Sequence, residues 1–158
     1  MNWDAIGAIG EVIGAIGVIA TLLYLSAQIR QNTKAVQTGS HHGVTDSFNQ
    51  LNAKIAEDER LARLFRLGLA EYDQLDPDDK ISAAHLFLSY MRIFEVLYFQ
   101  REAGTVEEKL FEAEERSLRH IFSQPGAISW WRSNPISFTS EFREYVEQFV
   151  EGKIEHDT

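Results

Sequence analysis

Residues 5–27, AIGAIGEVIGAIGVIATLLYLSA, form an apolar run broken by one ionisable side chain, Glu11. At about 1.5 Å per residue, a helix of this length covers roughly 35 Å, enough to cross the hydrocarbon core of a bilayer with some tilt. Further along, the pattern changes from continuous to periodic. Phe48, Leu51, Ile55, Leu61, Leu64, Phe65 and Leu69 recur at 3–4 spacing and predict an amphipathic helix over 44–69. Between the two lies a polar, helix-compatible stretch, then TGSHHG at 38–43, whose two glycines make it a candidate hinge or kink.

Strong punctuation follows. Gly68 and then Asp73 to Asp76 close the 44–69 helix, and Asp76-Pro77 restarts the chain with an N-cap and a proline at the first helical position. The helix predicted over 77–102, with ISAAHLFLSYMRIFEVLYF inside it, is the most apolar after the first. His85, Arg92 and Glu95 make it a costly second span, so it is expected as the central helix of a bundle. Arg92 and Glu95 stand i, i+3 and can pair. Gly104 ends that helix, and Thr105 with Glu108 reads as a capping box for the next, over 106–122. That fourth helix is expected to bury Leu110, Phe111, Leu118, Ile121 and Phe122, and to expose Glu107, Glu108, Glu112, Glu115 and Arg119. Pro125-Gly126 breaks the chain, and Asn134-Pro135 stops a short aromatic helix over 128–132. A final helix over 140–152 places Phe142, Val146, Phe149 and Val150 on one side. The expected fold is all-α: a transmembrane helix in 1–29, a juxtamembrane helix or hinge in 30–43, and a cytosolic bundle of about four helices in 44–158.

Glycines punctuate the apolar run with a period of their own. Gly7, Gly10, Gly14 and Gly17 fall within an arc of about 80° on a helical wheel, and Thr21 and Gln28 share that arc. Ile9, Val12, Ile16 and Ile19 form the opposite, bulky face. Each glycine costs roughly 1 kcal/mol against alanine in a soluble helix, so a buried soluble helix is the poorer reading. In lipid, small residues let helix backbones approach, and close packing supplies the attraction. The chain offers no second clear span, so the expected partner is another copy or another protein. Glu11 lies about 40° from Gly7 and about 60° from Gly14, at the edge of the stripe, roughly 7–8 Å outward of the helix midpoint. Carboxylates at such depth face a bundle interior or a water-filled cavity, and a ring of them attracts cations. Glu11 and Gln28 are therefore candidate pore or proton-site residues. The plainer alternative has Glu11 reaching the outer interface or sitting neutral in a packed one.

Charge sets the orientation. All fifteen Lys and Arg lie at or after Arg30, and Arg30 and Lys34 follow the span directly. The positive-inside rule then places the N-terminus outside and the domain in the cytoplasm. Met1-Asn2-Trp3-Asp4 has no basic residue, unlike a secretory signal, so an uncleaved anchor is expected. Trp3 and Tyr24 sit near the two ends, where aromatic side chains favour the interface.

A net charge of −9 argues against nucleic acid as a partner. The absence of cysteine excludes disulfides, Cys-ligated zinc, Fe–S clusters and a Cys nucleophile. His41 and His42 are adjacent and diverge by about 100° on a helix, so they do not share an ion easily. No glutamate is followed three residues later by histidine, which removes the di-iron pairing. With no nucleophile elbow, phosphate loop or nucleotide fingerprint, neither an enzyme nor a cofactor is expected. Trp130, Trp131 and Arg132 are either a cap on the bundle or an anchor for a protein partner.

The Trp-Asp start, the span ending TLLYLSAQIRQNTKA, the ERLARLFRLGL helix and the segment SWWRSNPISFTSEFREYV resemble a widespread family of small bacterial membrane-anchored helical proteins of unknown function. The resemblance covers nearly the whole chain. It implies an inner-membrane location and an all-helical domain, and carries no catalytic residues. Two functions are expected from these readings. One is a homo-oligomeric membrane assembly, conducting ions or protons past a Glu11 ring. The other is a non-conducting anchored module whose cytosolic domain binds a protein.

Overall fold

A computed structural model describes the backbone of residues 3–134 and 137–152, with all side chains in that range except those of residues 3–9, 12, 37, 40 and 41. The described residues are all-α. The helices are α1 (Trp3–Glu57), α2 (Glu59–Glu71), α3 (Pro77–Glu102), α4 (Glu108–Phe122), α5 (Pro125–Ser133) and α6 (Ser140–Val150), with a 3-10 turn at Tyr72–Gln74. The chain divides into two units, Met1–Gly39 and Ser40–Thr158.

Among the described residues, the first unit has no core. Its described side chains lie exposed along α1, apart from a half-buried Ser26. Residues 38–43, the candidate hinge or kink, are helical and belong to α1. Hydroxyls along α1 bond the carbonyls one turn back: Thr33 to Ile29, Thr38 to Lys34 and Ser47 to Gly43, at 2.8–3.0 Å.

The second unit holds the core. Its first surprise is a break inside the 44–69 helix. Asp58 turns extended and its carboxylate accepts from the backbone N–H groups of Arg60 and Leu61, ending α1 and capping α2. The signal was the empty register between Ile55 and Leu61, filled by the polar run AEDER. At α3 the expected cap forms: the Asp76 side chain accepts from the N–H groups of Asp78 and Asp79, with Pro77 next to it.

Gly104 ends α3 as expected, but the start of α4 differs. Gly104 adopts a left-handed φ of 67°, its N–H bonds the Arg101 carbonyl, and the Thr105 N–H bonds that of Gln100. This is a glycine-terminated C-cap. The Thr105 hydroxyl also donates to Gln100, at 3.0 Å, so it is spent on closing α3. The expected capping box does not form, and α4 begins at Glu108 without a side-chain cap.

Ala83, Phe87, Met91, Phe94 and Leu97 of α3 form the core with Leu118 and Phe122 of α4, and Leu64 of α2 is fully buried. On the α1 side, Phe48 meets Tyr90 and Phe94 with ring centroids 5.3 and 5.1 Å apart. Neighbouring helices do not encircle α3 as expected: Ile81, Val96 and Phe99 remain exposed on one flank.

Candidate functional site

The span comes first. Among the described residues, the stretch long and apolar enough to cross a membrane is Ile13–Val36, near the N-terminus. None of it is buried within the chain. Leu22, Leu23 and Ile29 are 60%, 68% and 65% exposed, values that suit contact with lipid or another chain better than contact with water.

Gly10, Gly14 and Gly17 are exposed, and a methyl group added to any of them meets no atom within 4 Å. The small-residue face is therefore unoccupied by the rest of the described chain. Gly7 lies in α1, but its side of the helix falls outside the described side chains. The Thr21 hydroxyl donates to the Gly17 carbonyl at 2.9 Å, which satisfies its proton inside the helix. Glu11 and Gln28 are exposed on α1.

In the second unit the tandem tryptophans are buried, Trp130 at 2% exposure and Trp131 at 0%. This corrects the partner-anchor reading and selects the packing alternative; of the three residues only Arg132 is exposed. Trp131 is tied on every side. Its Nε1–H donates to Glu147 at 2.9 Å, the Arg143 guanidinium covers its ring at 4.7 Å, and Phe138 stacks on it at 5.1 Å.

Three polar constellations hold the bundle together. Buried Asp79 receives Arg63 at 2.9 Å and Arg60 at 3.4 Å. Burial alone pushes this carboxyl up, but the two guanidinium hydrogen bonds outweigh it and hold it below the ordinary range. The buried Glu95 carboxylate takes the expected Arg92 pair and accepts from both the N–H and the hydroxyl of Thr139, the N-cap of α6. One carboxylate thus anchors the start of α6 to α3.

The third constellation corrects the expectation that Glu115 and Arg119 form a solvated face. Glu115 is half-buried, accepts from the Tyr145 hydroxyl at 2.6 Å and pairs with Arg119 at 2.9 Å. Burial pushes the Tyr145 phenol up and the Glu115 hydrogen bond pushes it further. Glu115 moves the other way: burial would raise it, but hydrogen bonds from Tyr145 and Arg119 lower it. The sequence foresaw one of these partnerships, Arg92 with Glu95, because that pair lies within one helical turn. Thr139 and Tyr145 are distant in sequence and carried no such signal.

No family model matches the chain, and neither a curated protein nor a solved structure is detectably similar to it.

Proposed function

We propose that this is a single-pass membrane protein that assembles with copies of itself through the face carrying Gly10, Gly14, Gly17 and Thr21. The observation that carries this reading is the open glycine face. It lies on a helix long enough to span a membrane, and no described part of the chain packs on it. Small-residue faces of this kind pack against other helices in lipid. The back-bonded Thr21 hydroxyl leaves no unsatisfied proton on that face, so close approach carries no polar penalty.

In this assembly Glu11 lines the shared axis and forms a carboxylate ring that passes cations or protons. Arg30 and Lys34 keep the helical bundle on the cytoplasmic side of a bacterial inner membrane. The similarity of the segments quoted above to small anchored helical proteins supports the same placement.

The test is the mass of the full-length protein in nanodiscs beside Gly14→Leu, followed by cation and proton flux into liposomes for the native chain and Glu11→Gln. A discrete oligomer that Gly14→Leu dissociates, with flux that Glu11→Gln changes, supports the reading. A monomer in both cases overturns self-assembly. An oligomer without flux leaves a non-conducting anchor whose cytosolic domain binds another protein.

A further inference from the structure

A groove of about 600 Å³ runs between α2 and α4. Phe65 and Leu69 of α2 and Ile121 of α4 wall it, Tyr90 of α3 lies at its base, and Arg116 and His120 stand on the α4 side. The two side chains Arg116 and His120 have no hydrogen-bond or ion-pair partner among the described residues, although the chain carries nine more acidic charges than basic ones. An unpaired guanidinium and an imidazole donor beside an apolar cleft suit an anionic group attached to a hydrophobic body.

Behind the groove, sharing Phe65, Leu69, Tyr90 and Ile121 with it, lies a small cavity of about 10 Å³ that Phe87, Met91 and Trp130 also line. Trp130 is 2% exposed, and its Nε1–H has no acceptor among the described residues. An unmet buried donor is costly, and its neighbour Trp131 has a carboxylate partner. The cavity has room for about one oxygen atom. Water fits it poorly, because buried waters make about three hydrogen bonds and this lining is otherwise apolar. A ligand oxygen carried in on an apolar ring needs only the one donor.

We propose that this groove binds an aromatic carboxylate that bears a second oxygen at the far end of its ring system. The carboxylate pairs with Arg116 and His120, the rings lie between Phe65, Tyr90 and Ile121, and the distal oxygen accepts from Trp130. Tyr90 also packs on Phe48, so the ligand touches a ring of the aromatic cluster within the second unit.

The full-length protein in nanodiscs would be titrated with 6-hydroxy-2-naphthoate, read by its fluorescence anisotropy with empty nanodiscs subtracted. Unlabelled 2-naphthoate, lacking the distal oxygen, and 2-naphthol, lacking the carboxylate, would serve as competitors. The expected result is saturable binding, with each competitor roughly tenfold weaker than 6-hydroxy-2-naphthoate itself. Arg116→Ala should abolish the advantage over 2-naphthol, and Trp130→Phe the advantage over 2-naphthoate. Arg116 is exposed, so its variant keeps the fold and decides the question even if Trp130→Phe unfolds. Absent saturable binding, equal affinity for all three compounds, or an Arg116→Ala protein that still prefers 6-hydroxy-2-naphthoate over 2-naphthol overturns the proposal.

Discussion

Gly126 of α5 approaches Gly68 of α2 so closely that a methyl group on Gly126 would stand 2.2 Å from the Gly68 carbonyl oxygen and 2.6 Å from that of Leu69. The first turn of α5 thus rests on the last turn of α2, backbone against backbone. A glycine here serves proximity, not an unusual dihedral, and Pro125 supplies the helix start beside it.

Gly126→Ala should therefore be among the most damaging single-methyl changes in the bundle. The obstacle is main chain, which cannot rotate away, so the cost should reach or exceed the roughly 1–3 kcal/mol typical of overpacking. Gly68→Ala meets Phe87 Cζ at 2.9 Å, the far end of a side chain that can shift, and should cost less. Thermal unfolding followed by circular dichroism ranks the two; the reverse order would contradict the packing described.

The two tryptophans should respond differently to loss of the indole N–H. Trp131→Phe removes one of the donors to Glu147 and puts a smaller ring under Arg143, whereas Trp130→Phe removes a donor with no partner among the described residues. Trp131→Phe should be the more destabilising by about 1 kcal/mol in denaturant titration. Equal losses would mean that ring volume alone matters at both sites.

Acid should weaken the α2–α3 contact through Asp79. Its folded-state pKa is depressed, so its ion pairs stabilise the fold above the unfolded-state value and lose that contribution as pH falls through the folded-state value. Asp79→Asn should lower stability at pH 7 and flatten the decline below about pH 5. An acid limb unchanged by the substitution would assign acid unfolding to other carboxylates.

The Tyr145–Glu115 bond should appear at the opposite end of the pH scale. The phenol is raised above its ordinary 10.0, so its contribution is complete below that pH and is lost as pH rises through the folded-state value. Absorbance at 295 nm should show one tyrosine ionising far later in the folded protein than in denaturant. Tyr145→Phe should remove that late phase. Its survival would mean that a different tyrosine carries it.

Much of the architecture was legible in the sequence because its causes are local. A 23-residue apolar run, a proline after a capping aspartate, a glycine after a helix and the 3–4 spacing of Phe142, Val146 and Phe149 each act within one or two turns. The glycine stripe was equally readable, since helix periodicity alone puts Gly10, Gly14 and Gly17 on one face. Where two local signals competed, the reading failed: Asp58 could sit inside a helix or cap one, and Thr105 could open α4 or close α3. Tertiary structure decided what depends on residues far apart in the chain. It buried both tryptophans, drew Glu95 to Thr139 and Glu115 to Tyr145, and pressed Gly126 onto Gly68. Periodicity gives the face of a helix but not which face of another helix it meets, and hydrogen bonds and close contacts are fixed only once that choice is made.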